Sequence, residues 1–86
     1  MYRLTVKKQA IKALLKMPSQ NAQRIRRALD RLAGDPDRRD VDVAPLEGRP
    51  GFRLRVGGYR VIFERDDKAR TIDVLRVAAR GQAYRQ

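Results

Sequence analysis

The sequence predicts an α+β fold: two N-terminal helices packed on a largely antiparallel sheet of about four strands. Two observations point to it. Apolar residues recur at helical spacing through residues 7–34, and they alternate with charged residues through most of the chain after residue 51. The alternating runs are joined by short turns, the first of them Gly57-Gly58, and tight turns make neighbouring strands antiparallel. A chain of 86 residues fits one domain, because at this size roughly 60–65% of the unfolded surface can be buried.

Taken in order, "YRLTV" at residues 2–6 alternates and is rich in β-branched and aromatic side chains, as a strand is. From residue 7 to 17, Ala10, Ile11, Leu14, Leu15 and Met17 make an apolar stripe beside Lys8, Lys12 and Lys16, and Pro18 stops this helix. Ser19 suits the N-cap of a second helix, whose apolar face is Ala22, Ile25, Leu29 and Leu32 and whose end is Gly34. Arg24, Arg27 and Arg31 lie on that helix at i, i+3 and i+7, either as a solvated face or as phosphate contacts. Residues 33–51 are rich in Asp, Pro and Gly and read as a loop with a short extended piece at Val41 to Val43. The last strand, from Arg70, carries Ile72 and Val74 on one face and Leu75 and Val77 on the other, which suits an interior strand.

Composition excludes several classes of function. There is no cysteine and no histidine, so disulfides are ruled out, and zinc or non-haem iron sites lose their usual ligands. No cofactor or metal is expected. No apolar run approaches the roughly 20 residues of a membrane span, and the reading is a soluble, cytoplasmic protein without a membrane role. The net charge of +11 rests on 21 basic against 10 acidic side chains. Most of the basic ones are arginine, whose planar fork matches phosphate, so the excess points to nucleic acid or an acidic protein partner.

The hairpin "FRLRVGGYRVIF" sharpens this. A two-residue turn fixes the register: Val56 faces Tyr59, Leu54 faces Val61 and Phe52 faces Phe63 on an apolar side, with Tyr59 a core residue. On the other side Arg55 faces Arg60 and Arg53 faces Ile62, with no acid between the arginines; Glu64 or Asp73 could neutralise one of them. Like charges directly opposite on paired strands cost a few tenths to about 1 kcal/mol, so the pair asks for an anion. Arg76 and Arg80 can approach the same face.

Residues 46–85, "LEGRPGFRLRVGGYRVIFERDDKARTIDVLRVAARGQAYR", resemble the C-terminal half of RelE-type toxins of the RelE/ParE superfamily, the toxins of type II toxin–antitoxin systems. The likeness lies in the Leu-Gly entry, the basic strand, Tyr59-Arg60-Val61, the acidic turn, the late Arg80 and the terminal Tyr84. The strand and two helices before it match the family's order, so the resemblance spans one toxin domain over residues 1–86.

The resemblance implies a metal-independent endoribonuclease, an mRNA interferase that cuts mRNA in the ribosomal A site and so inhibits translation. The 2′-OH attacks the adjacent phosphate. By position, Arg60 would stabilise the phosphorane, Arg80 would neutralise or protonate the leaving oxygen, and Tyr84 would be base or stacking residue. Arg53 and Arg55 would grip RNA with Arg76 in support. Tyr84 also has a structural reading, as a lid over the sheet edge. The chain departs from family members that have lysines on the basic strand, or a histidine where Ala79 stands. The implied partners are the ribosome, mRNA and a cognate antitoxin with an acidic, amphipathic segment. The alternatives are a ParE-like inhibitor of DNA gyrase, or a basic RNA- or antitoxin-binding module without chemistry.

Overall fold

The computed structural model describes residues 1–79. The elements are β1 (Arg3–Val6), α1 (Lys8–Lys16), α2 (Ser19–Gly34), β2 (Asp42–Pro45), β3 (Phe52–Val56), β4 (Tyr59–Asp66) and β5 (Thr71–Ala79). One sheet runs in the order β1-β5-β4-β3-β2. It is antiparallel except where β1 lies parallel to β5. Among the described residues the sheet therefore has five strands where about four were expected. The extra one is β2, because the extended piece at Val41 to Val43 is displaced to Asp42–Pro45 and pairs with Phe52 to Arg55 of β3.

One face of the sheet carries the core. Leu54, Val61, Phe63, Ile72, Val74 and Val77 meet Ala10 of α1 and Ile25, Leu29 and Leu32 of α2, all 2% exposed or less. Phe52 and Phe63 stack across the β3–β4 hairpin with ring centroids 5.5 Å apart. The hairpin register is the one its Gly-Gly turn dictates. Gly57 alone of the two central residues has positive φ, at 57°, the pattern of a type II′ turn. Tyr59 packs against the core, and its hydroxyl accepts a hydrogen bond from Asn21 Nδ2 at 3.1 Å.

Three local readings change. Pro18, rather than Ser19, caps α2: its carbonyl takes the first helical bonds, from the N–H groups of Asn21 and Ala22. Proline's missing N–H costs nothing there. On α1 the apolar stripe is only half used, since Ile11 is 45% and Leu15 80% exposed. In β5 a bulge separates Ile62↔Arg76 from Phe63↔Val74, leaving Leu75 as the extra residue. The bulge resets the alternation, so Val77 joins Ile72 and Val74 in the core instead of facing away with Leu75. No helix among the described residues is long and apolar enough to cross a membrane.

Candidate functional site

Two rungs of the sheet near the Gly57-Gly58 turn build the site. In the first, Asp42, Arg55, Arg60 and Ala78 are successive partners across β2, β3, β4 and β5. In the second, Ala44, Arg53, Ile62 and Arg76 follow in the same order. Paired residues project to one side of a sheet and residues two apart return to it. Arg53, Arg55, Arg60 and Arg76 therefore share the face opposite Phe63 and the helices, and the sequence-predicted arginines of the described chain come together.

Their environments differ. Arg60, between β3 and β5, is only 9% exposed, whereas the Arg55 side chain nearer the sheet edge is 46% exposed. A cation at the depth of Arg60 acts through a less polarisable medium than one at the surface, so it holds an approaching phosphate more strongly. Arg53 Nη1 and Arg76 Nε are buried without a hydrogen-bond acceptor among the described residues. Buried donors of this kind favour an anion that supplies the missing acceptors.

The arginines are not without an acid, as the sequence had suggested. Asp42 Oδ1 lies 3.5 Å from Arg53 Nη1, and Asp42 Oδ2 lies 3.8 Å from Arg55 Nη1. Neither Asp73 nor Glu64 supplies these pairs, and the Asp73 carboxylate accepts a hydrogen bond from the Thr5 hydroxyl of β1. Sequence reasoning missed Asp42 because its place depends on the register of β2, which a loop rather than a tight turn connects to β3.

Two of the clefts that adjoin the face carry further charged side chains. One of about 550 Å³ is lined by Ile62, Leu75, Arg76 and Glu64 together with Gln9, Arg49 and Pro50. The other, about 420 Å³, runs between α2 and the sheet edge and is lined by Arg24, Arg27, Arg31, Asp40, Asp42, Leu54 and Arg55. The basic stripe of α2 thus lines a groove that reaches the arginine rungs. Arg24 packs over the hairpin turn, its Nη1 3.4 Å from where a Cβ on Gly57 would stand. Arg80 and Tyr84 lie outside the described residues.

The chain matches the family described as "ParE toxin of type II toxin-antitoxin system, parDE" over residues 4–84. It is also 35% identical to a chain of the archaeal RelE–RelB complex from Pyrococcus horikoshii, with a TM-score of 0.81 over 94% of this chain and 97% of that one. The chain belongs to the RelE/ParE superfamily of type II toxins. This RelE-type toxin is similar as well to a chain of the RelBE2 toxin–antitoxin complex from Mycobacterium tuberculosis, at 28% identity and a TM-score of 0.75, covering 92% and 98% of the two chains. The YoeB/ParE toxin from Agrobacterium tumefaciens shares the RelE/ParE fold at a TM-score of 0.75 and 11% identity, covering 90% of this chain and 96% of its own. No curated protein matches this superfamily member by sequence.

Proposed function

We propose that this toxin is a ribosome-dependent endoribonuclease that cleaves mRNA in the A site without a metal. The observation that carries the reading is the low exposure of Arg60 within a cluster of four arginines on one sheet face. A docking surface needs charge but not a buried cation, whereas a developing phosphorane needs charge held at depth. In the proposed reaction the substrate's 2′-oxygen forms a bond to the adjacent phosphorus and the bond to the 5′-oxygen breaks. The 2′-OH proton passes to a base and the 5′-oxygen gains a proton, leaving a 2′,3′-cyclic phosphate and a 5′-OH. Arg60 stabilises the phosphorane, Arg53 and Arg55 hold the strand, and Arg76 supports them from β5. Arg80 at the leaving oxygen and Tyr84 as base or stacking partner complete the proposal. Arginine stays protonated throughout the physiological range, so Arg80 acts chiefly by neutralising charge.

The relatives from Pyrococcus and Mycobacterium are found in complexes with their antitoxins. For this chain we propose a cognate antitoxin bearing acidic and apolar residues. Exposed Ile11 and Leu15 and the net charge of +11 are the features such a segment would complement.

Primer extension on a defined message in reconstituted translation tests the nuclease. Cuts inside ribosome-occupied codons are expected with wild-type protein. They should fall at least about 100-fold with Arg60→Ala, the loss typical when a charge-stabilising donor is removed, and vanish without ribosomes. An uncut message overturns the reading. The second reading, inhibition of DNA gyrase, is favoured by the ParE description of the matched family. A gyrase supercoiling assay that stops on adding the toxin would establish it.

A further inference from the structure

Asp42 occupies an unusual place for an acid. It stands at the outer end of the rung that continues through Arg55 to Arg60, and it touches Arg53 on the next rung as well. At 3.5 and 3.8 Å both contacts are ion pairs longer than ordinary hydrogen bonds, and the Asp42 side chain is 54% exposed. Such pairs hold weakly, because solvent screens them and the side chains keep their freedom. The acid is thus close enough to fill the field of two arginines and too loosely held to lock them. Arg53 Nη1 is left buried and without a hydrogen bond even with the carboxylate beside it. Arg60 and Arg76 lie one strand and two strands further in, away from the edge strand that carries Asp42.

We propose that Asp42 is an internal anion that occupies the outer half of the arginine site in the free protein, and that it sets the site's affinity for a nucleic-acid phosphate. The inference rests on the RNA-cleaving reading for its ligand, but not for the anion site itself. A phosphate arriving at Arg53 and Arg55 displaces the carboxylate, which swings toward solvent at the edge of β2. Asp42 acts through the two arginines and is a positioning residue. Its charge makes weak backbone contacts weaker still, so that only a strand also held at Arg60 stays bound.

The test measures binding of a fluorescein-labelled single-stranded RNA by anisotropy over a range of salt concentrations. Alongside it, thermal melts with and without inorganic phosphate are recorded for the wild type, Asp42→Asn, Asp42→Glu, Arg60→Ala and Asp30→Asn. Asp30 is an exposed acid of α2, so its substitution makes the same change of net charge elsewhere. Asp42→Asn is expected to bind RNA about three- to tenfold tighter at 0.1 M salt, the effect of removing one charge some 6–8 Å from a phosphate. Its plot of log affinity against log salt should steepen by up to about 0.7, one further phosphate contact. Asp42→Glu should restore the wild-type affinity and slope, a rescue that a purely structural role for Asp42 does not predict.

Equal affinities for Asp42→Asn and Asp30→Asn, with binding still dependent on Arg60, overturn the role of Asp42 and leave the RNA reading standing. If no variant binds RNA but phosphate raises the melting temperature of Asp42→Asn more than that of the wild type, the internal anion stands and the RNA reading falls. Equal stabilisation by phosphate in that case overturns both.

Discussion

At the scale of the residue, the end of the sheet far from the arginine rungs carries a small polar network. Arg65 pairs with Asp67 at 2.6 Å and with Asp37 at 3.0 Å, donates to the Pro36 carbonyl and lies over the Tyr2 ring. Tyr2 donates its hydroxyl to Asp67 at 2.8 Å. Hydrogen bonds from Arg65 first and Tyr2 second hold the Asp67 carboxyl below the usual carboxylate range. A group whose folded value is depressed contributes stability above its unfolded value, near 3.9 for Asp, and loses it as pH falls through the folded value. The melting temperature of the wild type should therefore fall as pH drops below about 4, and Asp67→Asn should fall less. Asp40, lowered by its hydrogen bond from Arg38, keeps part of the dependence in that variant. The same hydrogen bond to Asp67 raises the Tyr2 hydroxyl, whose contribution is complete below the unfolded value near 10 and is lost as pH rises through the folded one. Equal acid-side curves for wild type and variant would remove Asp67 from this account. One further residue is held in an unfavourable backbone: Arg70, with φ of 54°, is in the left-handed region just before β5. Arg70→Gly should relieve this and raise stability by about 0.5–1 kcal/mol, which is roughly 2–8 °C in a domain of this size.

Elements show where local pattern stops determining structure. The bulge at Leu75 lets Arg76 face the arginine rungs while Val74 and Val77 both stay in the core. Deleting Leu75 joins Val74 directly to Arg76 and keeps that alternation. Cooperative unfolding should survive with a loss of about 1–2 kcal/mol, while the local twist at Arg76 is removed and the proposed RNA binding should weaken. Chemical denaturation and anisotropy on the deletion variant check this. A protein that no longer unfolds cooperatively would show the bulge to be needed for the core instead. The hairpin register was legible because Gly57-Gly58 leaves only one pairing that keeps Leu54, Val61 and Phe63 on one side. The bulge was not legible, since Leu75 and Val77 alternate as well on paper as Val74 and Val77 do in the fold. Nor was β2, whose register depends on the loop closed by the Leu46 N–H donating to the Gly51 carbonyl. The four clustered arginines could be read from spacing, but the depth of Arg60 and the position of Asp42 could not. Both depend on registers that no two-residue turn sets: that of β2, joined to β3 by a loop, and that of β5, shifted against β4 by the bulge.

Across the whole molecule the dominant quantity is charge. A formal +11 on 86 residues, in a fold whose Cα radius of gyration is 12.0 Å, makes the folded state repel itself. The unfolded chain spreads the same charges more widely, so salt should stabilise the free protein by screening the compact state more than the expanded one. Salt should act on the proposed RNA binding in the opposite sense, because each phosphate contact releases counterions. If the four arginines of the two rungs each meet a phosphate, log affinity for single-stranded RNA falls against log salt with a slope near −3, at about 0.7 for each contact. Raising NaCl from 0.02 to 0.5 M should therefore raise the melting temperature by several degrees while weakening RNA binding by roughly four orders of magnitude. The two responses separate a site from a general surface excess. A steeper slope that Arg60→Ala leaves unchanged would show the RNA spread over the α2 stripe and the rest of the basic surface. A slope near −3 that loses about 0.7 with Arg60→Ala would place it on the rungs. A melting temperature that does not rise with salt would mean that the acids paired in the fold, Asp37, Asp40, Asp42 and Asp67, already offset the repulsion.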